Sequence, residues 1–251
     1  MIAALLLGRR GSQGFPGKNT ALILGHPLAW YPMVTAKGTP EIDRVFLSTD
    51  DPELMKIAAG LSVEVIVRPP ELASNSALGD HAYQHGYREI SARFPNEPIE
   101  LLVLLFCNAA TITRRALSEG IRILRENPTA DSAVTVSRYN MWSPLRARRL
   151  NNSGFLEPFV PFETFGDPRT LNCDRDSQGD VFFADMGCSV IRPTNLEKLE
   201  EGLLPQRWMG QNIVPIVQEA GCDIDYEWQV AGVEWWIKNF WDGEFLEENH
   251  D

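Results

Sequence analysis

Arg9, Arg10 and Lys18 share a short stretch with Gly8, Gly11, Gly14, Pro16 and Gly17, directly after an apolar run from Ile2 to Leu7. Glycines permit tight turns and bring the backbone close to a ligand, while the basic side chains add cationic donors. A buried strand opening into such a loop suits a phosphate group, because backbone N–H groups and cations converge there. The residue order is neither a Walker loop, which ends in Gly-Lys-Ser/Thr, nor the dinucleotide Gly-x-Gly-x-x-Gly. An ordinary βα turn that happens to be basic is the alternative reading of the same residues. Far along the chain, Asp223 and Asp225 lie two positions apart. On an extended segment, positions i and i+2 project to the same side.

These groups need a scaffold, and the hydrophobic pattern supplies one. Apolar runs at Ile2–Leu7, Arg44–Asp50, Val63–Val67, Glu100–Phe106, Ser132–Ser137 and Phe182–Ile191 read as buried strands. Helical patterns lie between them: one ending near Lys37, Asp51–Ala59 with Pro52 in its first turn, Leu78–Phe94 and Arg114–Leu124. A closing helix runs from Glu227 to Lys238, with Trp228, Trp235 and Trp236 as packing residues. Glu100–Phe106 is the most apolar strand and belongs at the centre of the sheet. Alternating strands and helices imply parallel βαβ units, whose ligands sit at the carboxyl ends of the strands. The polar ending Ser48-Thr49-Asp50 therefore falls at the ligand end, either as a ligand contact or as the cap of the next helix.

The chain has 251 residues, 44% hydrophobic and 23% charged, which suits a single globular α/β domain over 1–251. A net charge of −11 argues against nucleic acid or an anionic membrane as partner, so any polyanion site must be a local basic patch. The four cysteines (Cys107, Cys173, Cys188, Cys222) form no Cys-x-x-Cys pair and suggest neither zinc nor a disulfide framework. The first apolar run is too short to span a membrane, and basic residues follow it instead of preceding it, unlike a signal peptide. A cytoplasmic location is the expectation. Residues 139–181 lack helical or strand periodicity and are rich in aromatics and prolines, a composition that fits an interface or lid.

The order Arg9-x-x-Ser12-x-Gly14-x-Pro16-x-Lys18-Asn19 resembles the nucleotide loop of the CMP-sialic acid synthetase family, the acylneuraminate cytidylyltransferases. Gln13 stands where that family has a lysine. Arg68-Pro-Pro-Glu-Leu-Ala73 is similar to the family segment that borders the nucleotide, and Cys222-Asp-Ile-Asp-Tyr-Glu227 to its Ile-Asp-Ile-Asp-Thr-Glu. The resemblance implies a Rossmann-like, mostly parallel sheet with helices on both faces, of the nucleotide-diphospho-sugar transferase type. It also implies a dimerisation arm at about 139–181, and so a homodimer. The implied reaction moves CMP from CTP to the anomeric hydroxyl of a small acidic 2-keto sugar and releases pyrophosphate. Gly8, Arg9, Arg10, Gly11, Ser12, Gly14, Lys18, Asn19 and Arg68 become nucleotide contacts. Asp223 and Asp225 become ligands of Mg2+ or another divalent cation, shared with nucleotide phosphates. Catalysis then rests on Arg9, Lys18, Asp223 and Asp225.

Two segments depart from the family. After the central strand, Phe106-Cys-Asn108-Ala-Ala-Thr-Ile112 replaces Gln-Pro-Thr-Ser-Pro-Leu-Arg, and Ala184-Asp185-Met186-Gly187 replaces Arg-x-Asn-Gly. Phe106, Asn108, Asp185, Met186 and Gly187 are accordingly the candidate acceptor residues. A different acceptor or nucleotide on the same fold is one alternative. A nucleotide-binding protein without transferase activity is another, and the retained Asp223 and Asp225 pair argues against it.

Overall fold

Six consecutive buried residues, Ile2–Leu7, make the first strand, β1. A strand covered on both faces needs apolar residues at every position, not at alternate ones. The computed structural model describes residues 1–11, 14–74 and 76–243; Ser12 and Gln13 lie outside the described residues. The further strands of the main sheet are β2 (Arg44–Thr49), β3 (Glu64–Val67), β4 (Leu101–Phe106), β5 (Ser132–Arg138), β6 (Phe182–Ile191) and β7 (Ile213–Gln218). Their spatial order is β3-β2-β1-β4-β6-β5-β7, with β4 at the centre as its composition predicts. Every pairing is parallel except those of β6, which runs antiparallel to both β4 and β5. From β1 the chain steps outward to β2 and β3, then returns to the other side of β1 as β4. A crevice opens at such a reversal, beyond the carboxyl ends of the strands.

Helices α1 (Trp30–Lys37), α2 (Pro52–Gly60) and α4 (Arg114–Glu126) cover one face, and α3 (Gly79–Arg93) covers the other. Ile2, Ala4 and Leu6 of β1 face Met33, Leu54 and Leu117 in one core layer; Ala3 and Leu5 face Tyr83 and Ile90 in the second. The helix starts are locally encoded. Asp51 caps α2 by accepting from Glu53 N at 2.9 Å, and Thr113 caps α4 by accepting from Ala116 N at 3.1 Å. Each cap stabilises by about 1 kcal/mol.

The structure differs from the sequence expectations in three places. Strand β7 has no counterpart in the sequence reading, because Pro215 interrupts its pattern; at the sheet edge a missing N–H is tolerated. The closing helix is α5 (Val230–Phe240), preceded by one tight turn at Glu227–Gln229. Trp236 packs into the core at 2% exposed, whereas Trp228, in the preceding turn, is 73% exposed and Trp235 is 54% exposed with its ring against Phe240 at 5.5 Å. Within 139–181, where no strand pattern is legible, Arg148–Leu150 and Leu156–Pro158 pair as a short antiparallel hairpin. Among the described residues no helix is long and apolar enough to cross a membrane.

Candidate active site

The glycine-rich loop begins at Gly8, wedged between α2 and the exit of β4. A Cβ there would stand 2.5 Å from Leu54 Cδ1 and 2.7 Å from Cys107 Sγ, so no other residue fits without displacing core atoms. Arg10 N donates to Asp50 Oδ1 at 2.9 Å, which ties the loop to the end of β2. Gly11 and Gly17 take φ of 85° and 73°, a left-handed backbone that glycine adopts without strain. Lys18–Thr20 then makes a tight turn, and Asn19 Nδ2 reaches back to Arg9 O at 3.4 Å.

Arg68 follows β3 and is buried. Its Nε donates to Ser48 Oγ at 3.2 Å and its Nη2 to Ser48 O at 2.6 Å, so the polar end of β2 orients the guanidinium. Burial lowers its pKa from the ordinary arginine value, with the nearby Cys107 and Asp50 opposing the shift.

The carboxylate segment is fastened residue by residue. Gly221 N donates to Ser137 Oγ at 2.8 Å, and Tyr139 OH donates to Gly221 O at 2.9 Å. Cys222 exchanges two hydrogen bonds of 2.9 Å with the Thr111 hydroxyl. Asn108 Nδ2 donates to Asp223 Oδ2 at 3.0 Å and to Ile224 O at 3.1 Å, while Asn108 O accepts from Ile224 N at 2.9 Å. Gln229 Oε1 accepts from Asp225 N at 2.7 Å. The two ends of the sequence then meet: Lys18 Nζ lies 2.6 Å from Asp225 Oδ1. Gly14 rests on the same residue, since a Cβ there would be 2.5 Å from Asp225 O.

Between these parts lies a cleft of about 440 Å³. Gly8, Arg9, Gly14, Lys18, Asn19, Arg68, Phe106, Asn108 and Asp225 line it, together with Leu72, Ala77, Leu78, Ala82 and Tyr226. Most of the candidate nucleotide residues are thus brought to one place. Arg10 and Gly11 are exposed beside it and do not line it. Phe106 is backed by Tyr83 and Trp208, at ring separations of 5.5 and 6.1 Å.

Three of the candidate acceptor residues sit elsewhere. Asp185 is buried; its Oδ2 accepts from Ser137 Oγ at 2.7 Å and from Gln218 Nε2 at 3.0 Å, and its Oδ1 from Gly187 N at 3.1 Å. Gly187 is buried beside Thr135 and Gln218, and Met186 takes a φ of 62° within an irregularity of β6. The bracing residues Thr111, Ser137, Tyr139 and Gln218 are absent from the sequence reading. Two of them carry a signal, being polar residues at the exits of the apolar strands β4 and β5.

Burial raises the pKa of Asp223 above the usual carboxylate range, and the adjacent Asp225 raises it further, against Lys18 and Asn108. Two carboxylates that repel one another beside a cleft suit a divalent cation. No group of three or more His, Cys, Asp or Glu is gathered among the described residues. Mg2+ commonly takes one or two carboxylates and completes its shell with phosphate oxygens and water. The donor set fits that arrangement.

A family model described as cytidylyltransferase matches residues 3–139, and the chain belongs to that family. It is 37% identical over 233 residues to an N-acylneuraminate cytidylyltransferase of Oncorhynchus mykiss, covering 92% of this chain and 49% of that protein. An N-acylneuraminate cytidylyltransferase A of Danio rerio is 36% identical over 139 residues, 55% of this chain and 31% of the relative. The chain therefore spans about half or less of the length of these curated relatives. Among solved structures, a CMP:2-keto-3-deoxy-manno-octonic acid synthetase complexed with CTP superposes with a TM-score of 0.64 at 15% identity, covering 94% of this chain and 98% of the other. A 4-diphosphocytidyl-2C-methyl-D-erythritol synthase of Anaerococcus prevotii gives 0.60 at 12% identity, covering 94% and 96%. These two establish the fold expected from the sequence.

Proposed function

We propose that this chain transfers CMP from CTP to the anomeric hydroxyl of an acidic 2-keto sugar. The observation that carries the reading is the meeting of the basic glycine loop and the paired carboxylates across one cleft, at Lys18 and Asp225. The names of the relatives support the cytidylyl group and the acidic sugar. In the reaction the anomeric oxygen forms a bond to the α-phosphorus while the bond from that phosphorus to the bridging oxygen breaks. Pyrophosphate departs, and the hydroxyl proton is released. Such a transfer needs in-line positioning and neutralisation of developing charge more than covalent help.

Arg9 and Lys18 neutralise the triphosphate, with the backbone N–H groups of the loop beside them. Arg68, held by Ser48, presents its guanidinium to the nucleotide. Asp223 and Asp225 would hold Mg2+, which would supply Lewis-acid neutralisation of the negative charge on the phosphates. Phe106, where the resembling family has glutamine, makes the cleft less polar, and this supports an acceptor less polar than N-acetylneuraminic acid. Trp142, Leu150, Phe155 and Phe159 are exposed in the 139–181 excursion, which supports a homodimer through that arm. The acidic overall charge supports a partner set without nucleic acid or an anionic membrane.

The test is pyrophosphate release from CTP and Mg2+ with a panel of 2-keto acid sugars, UTP serving as the control nucleotide. Release with CTP and at least one such sugar is expected. No release with any member of the panel would overturn the reading.

A further inference from the structure

The exit of β4 lacks the family's residues, yet it is densely bonded to the carboxylate segment. We infer that Asn108 is a positioning residue that holds Asp223 and Asp225 in the register needed to share a divalent cation. The inference rests on the proposed metal-dependent reading of this site.

Asn108 makes three hydrogen bonds to two consecutive residues: its side-chain Nδ2 donates to Asp223 Oδ2 and Ile224 O, and its backbone carbonyl accepts from Ile224 N, all between 2.9 and 3.1 Å. Only a side chain with an amide donor of this length, on a backbone that also pairs, can grip both a carboxylate and the adjoining peptide. Its own position is fixed, because it is 9% exposed and lies two residues beyond the central strand. Three residues on, Thr111 holds Cys222 with a reciprocal pair of bonds. The segment from Cys222 to Ile224 is therefore docked on the β4 exit instead of spanning the cleft as a free loop.

Electrostatics explains why a grip is needed. Asp223 is half-buried next to Asp225, and mutual repulsion favours swinging one carboxylate out to water. A neutral amide donor opposes that swing without competing for the cation's charge. Lys18 performs the matching task for Asp225, but its ammonium is also needed by the phosphates. Asn108 carries no charge for the phosphates to recruit, so its bond to Asp223 does not compete with theirs.

The test uses Asn108→Ala and Thr111→Val in the full chain, with Mn2+ as the probe. Mn2+ binding is followed by its electron paramagnetic signal in the presence of CTP and without any acceptor, so the readout does not depend on transfer. Partners that orient metal ligands typically contribute a factor of about 10–100 in metal affinity. Asn108→Ala should weaken Mn2+ by about that factor, with the Mg2+ concentration for half-maximal turnover rising in parallel and turnover recovering at high Mg2+. Thr111→Val, nearly isosteric, should shift both in the same direction by less. Asn108→Ser, which keeps a shorter donor, covers the case in which the alanine variant fails to fold and should fall between wild type and alanine. Unchanged Mn2+ affinity in a folded Asn108 variant would overturn the proposal. So would lost turnover that high Mg2+ does not recover. Wild-type protein that binds Mn2+ and CTP but transfers CMP to no sugar would sink the acceptor reading and leave this inference standing.

Discussion

Gly14→Ala isolates the contact between the nucleotide loop and the carboxylate segment. The added Cβ would stand 2.5 Å from Asp225 O, whereas ordinary contact begins near 3.4 Å. The obstacle is backbone, itself held by Gln229, so no side-chain rotation relieves it. The loop must lift by about 0.9 Å, the difference between those distances. A misplacement of about 1 Å in a positioning element costs about a hundredfold in rate. Gly14 lies on an exposed loop, so the substitution removes no core packing. The expected outcome is kcat/KM for CTP lower by about 10- to 100-fold, with a melting temperature within about 2 °C of wild type. Pyrophosphate release and thermal melting measure the two. Wild-type kcat/KM in the variant would refute the idea that loop and carboxylates act as one unit.

Asp225→Asn should abolish Mg2+-dependent turnover while the melting temperature changes little, since the carboxylate side of the ion pair is exposed and the amide keeps its volume; turnover at the wild-type rate under saturating Mg2+ would contradict the assignment. Asp185→Ala should deprive Ser137, Gln218 and Gly187 of a buried acceptor, at about 1–3 kcal/mol for an unsatisfied buried group, and lower the melting temperature by roughly 5 °C; a melting curve like that of wild type would show that the brace is dispensable. Burial pushes the Cys107 thiol up to about 12 and the Cys222 thiol up to about 11, so native protein at pH 8 should be alkylated first at exposed Cys173; peptide mass spectrometry that finds Cys107 or Cys222 modified earlier would count against the packing. Among 2-keto acid sugars, N-acetylneuraminic acid should have a lower kcat/KM than a less polar acid sugar, and its emergence as the best acceptor would remove any specificity role for Phe106.

The sheet was legible because its strands are apolar at nearly every position, which only burial on both faces explains. β7 was not, since an edge strand needs no continuous apolar run and tolerates Pro215. That Gly8, Arg9, Lys18 and Arg68 line one cleft could be anticipated from residue types, because each carries a local chemical signature. The bracing could not. Thr111, Ser137 and Gln218 are ordinary polar residues whose partners lie from 33 to 111 positions away along the chain. Asp185 illustrates the same limit: its place in the sequence pointed to the acceptor, while its buried hydrogen bonds make it a brace. Trp228 and Trp235 failed in the opposite sense, because helical spacing identifies a face without saying whether anything covers it.

The Lys18 to Asp225 ion pair has a consequence for what can enter the cleft. The ammonium that would attract any phosphate is already neutralised by a carboxylate 2.6 Å away. Inorganic phosphate arriving alone must break that pair and leave Asp225 uncompensated beside its own negative charge. A nucleoside triphosphate that carries its own divalent cation offers a replacement to each member, anion for Lys18 and cation for Asp225. On the proposed reading, entry is then an exchange of partners in place of a simple addition, which favours a metal-bound triphosphate over a free anion.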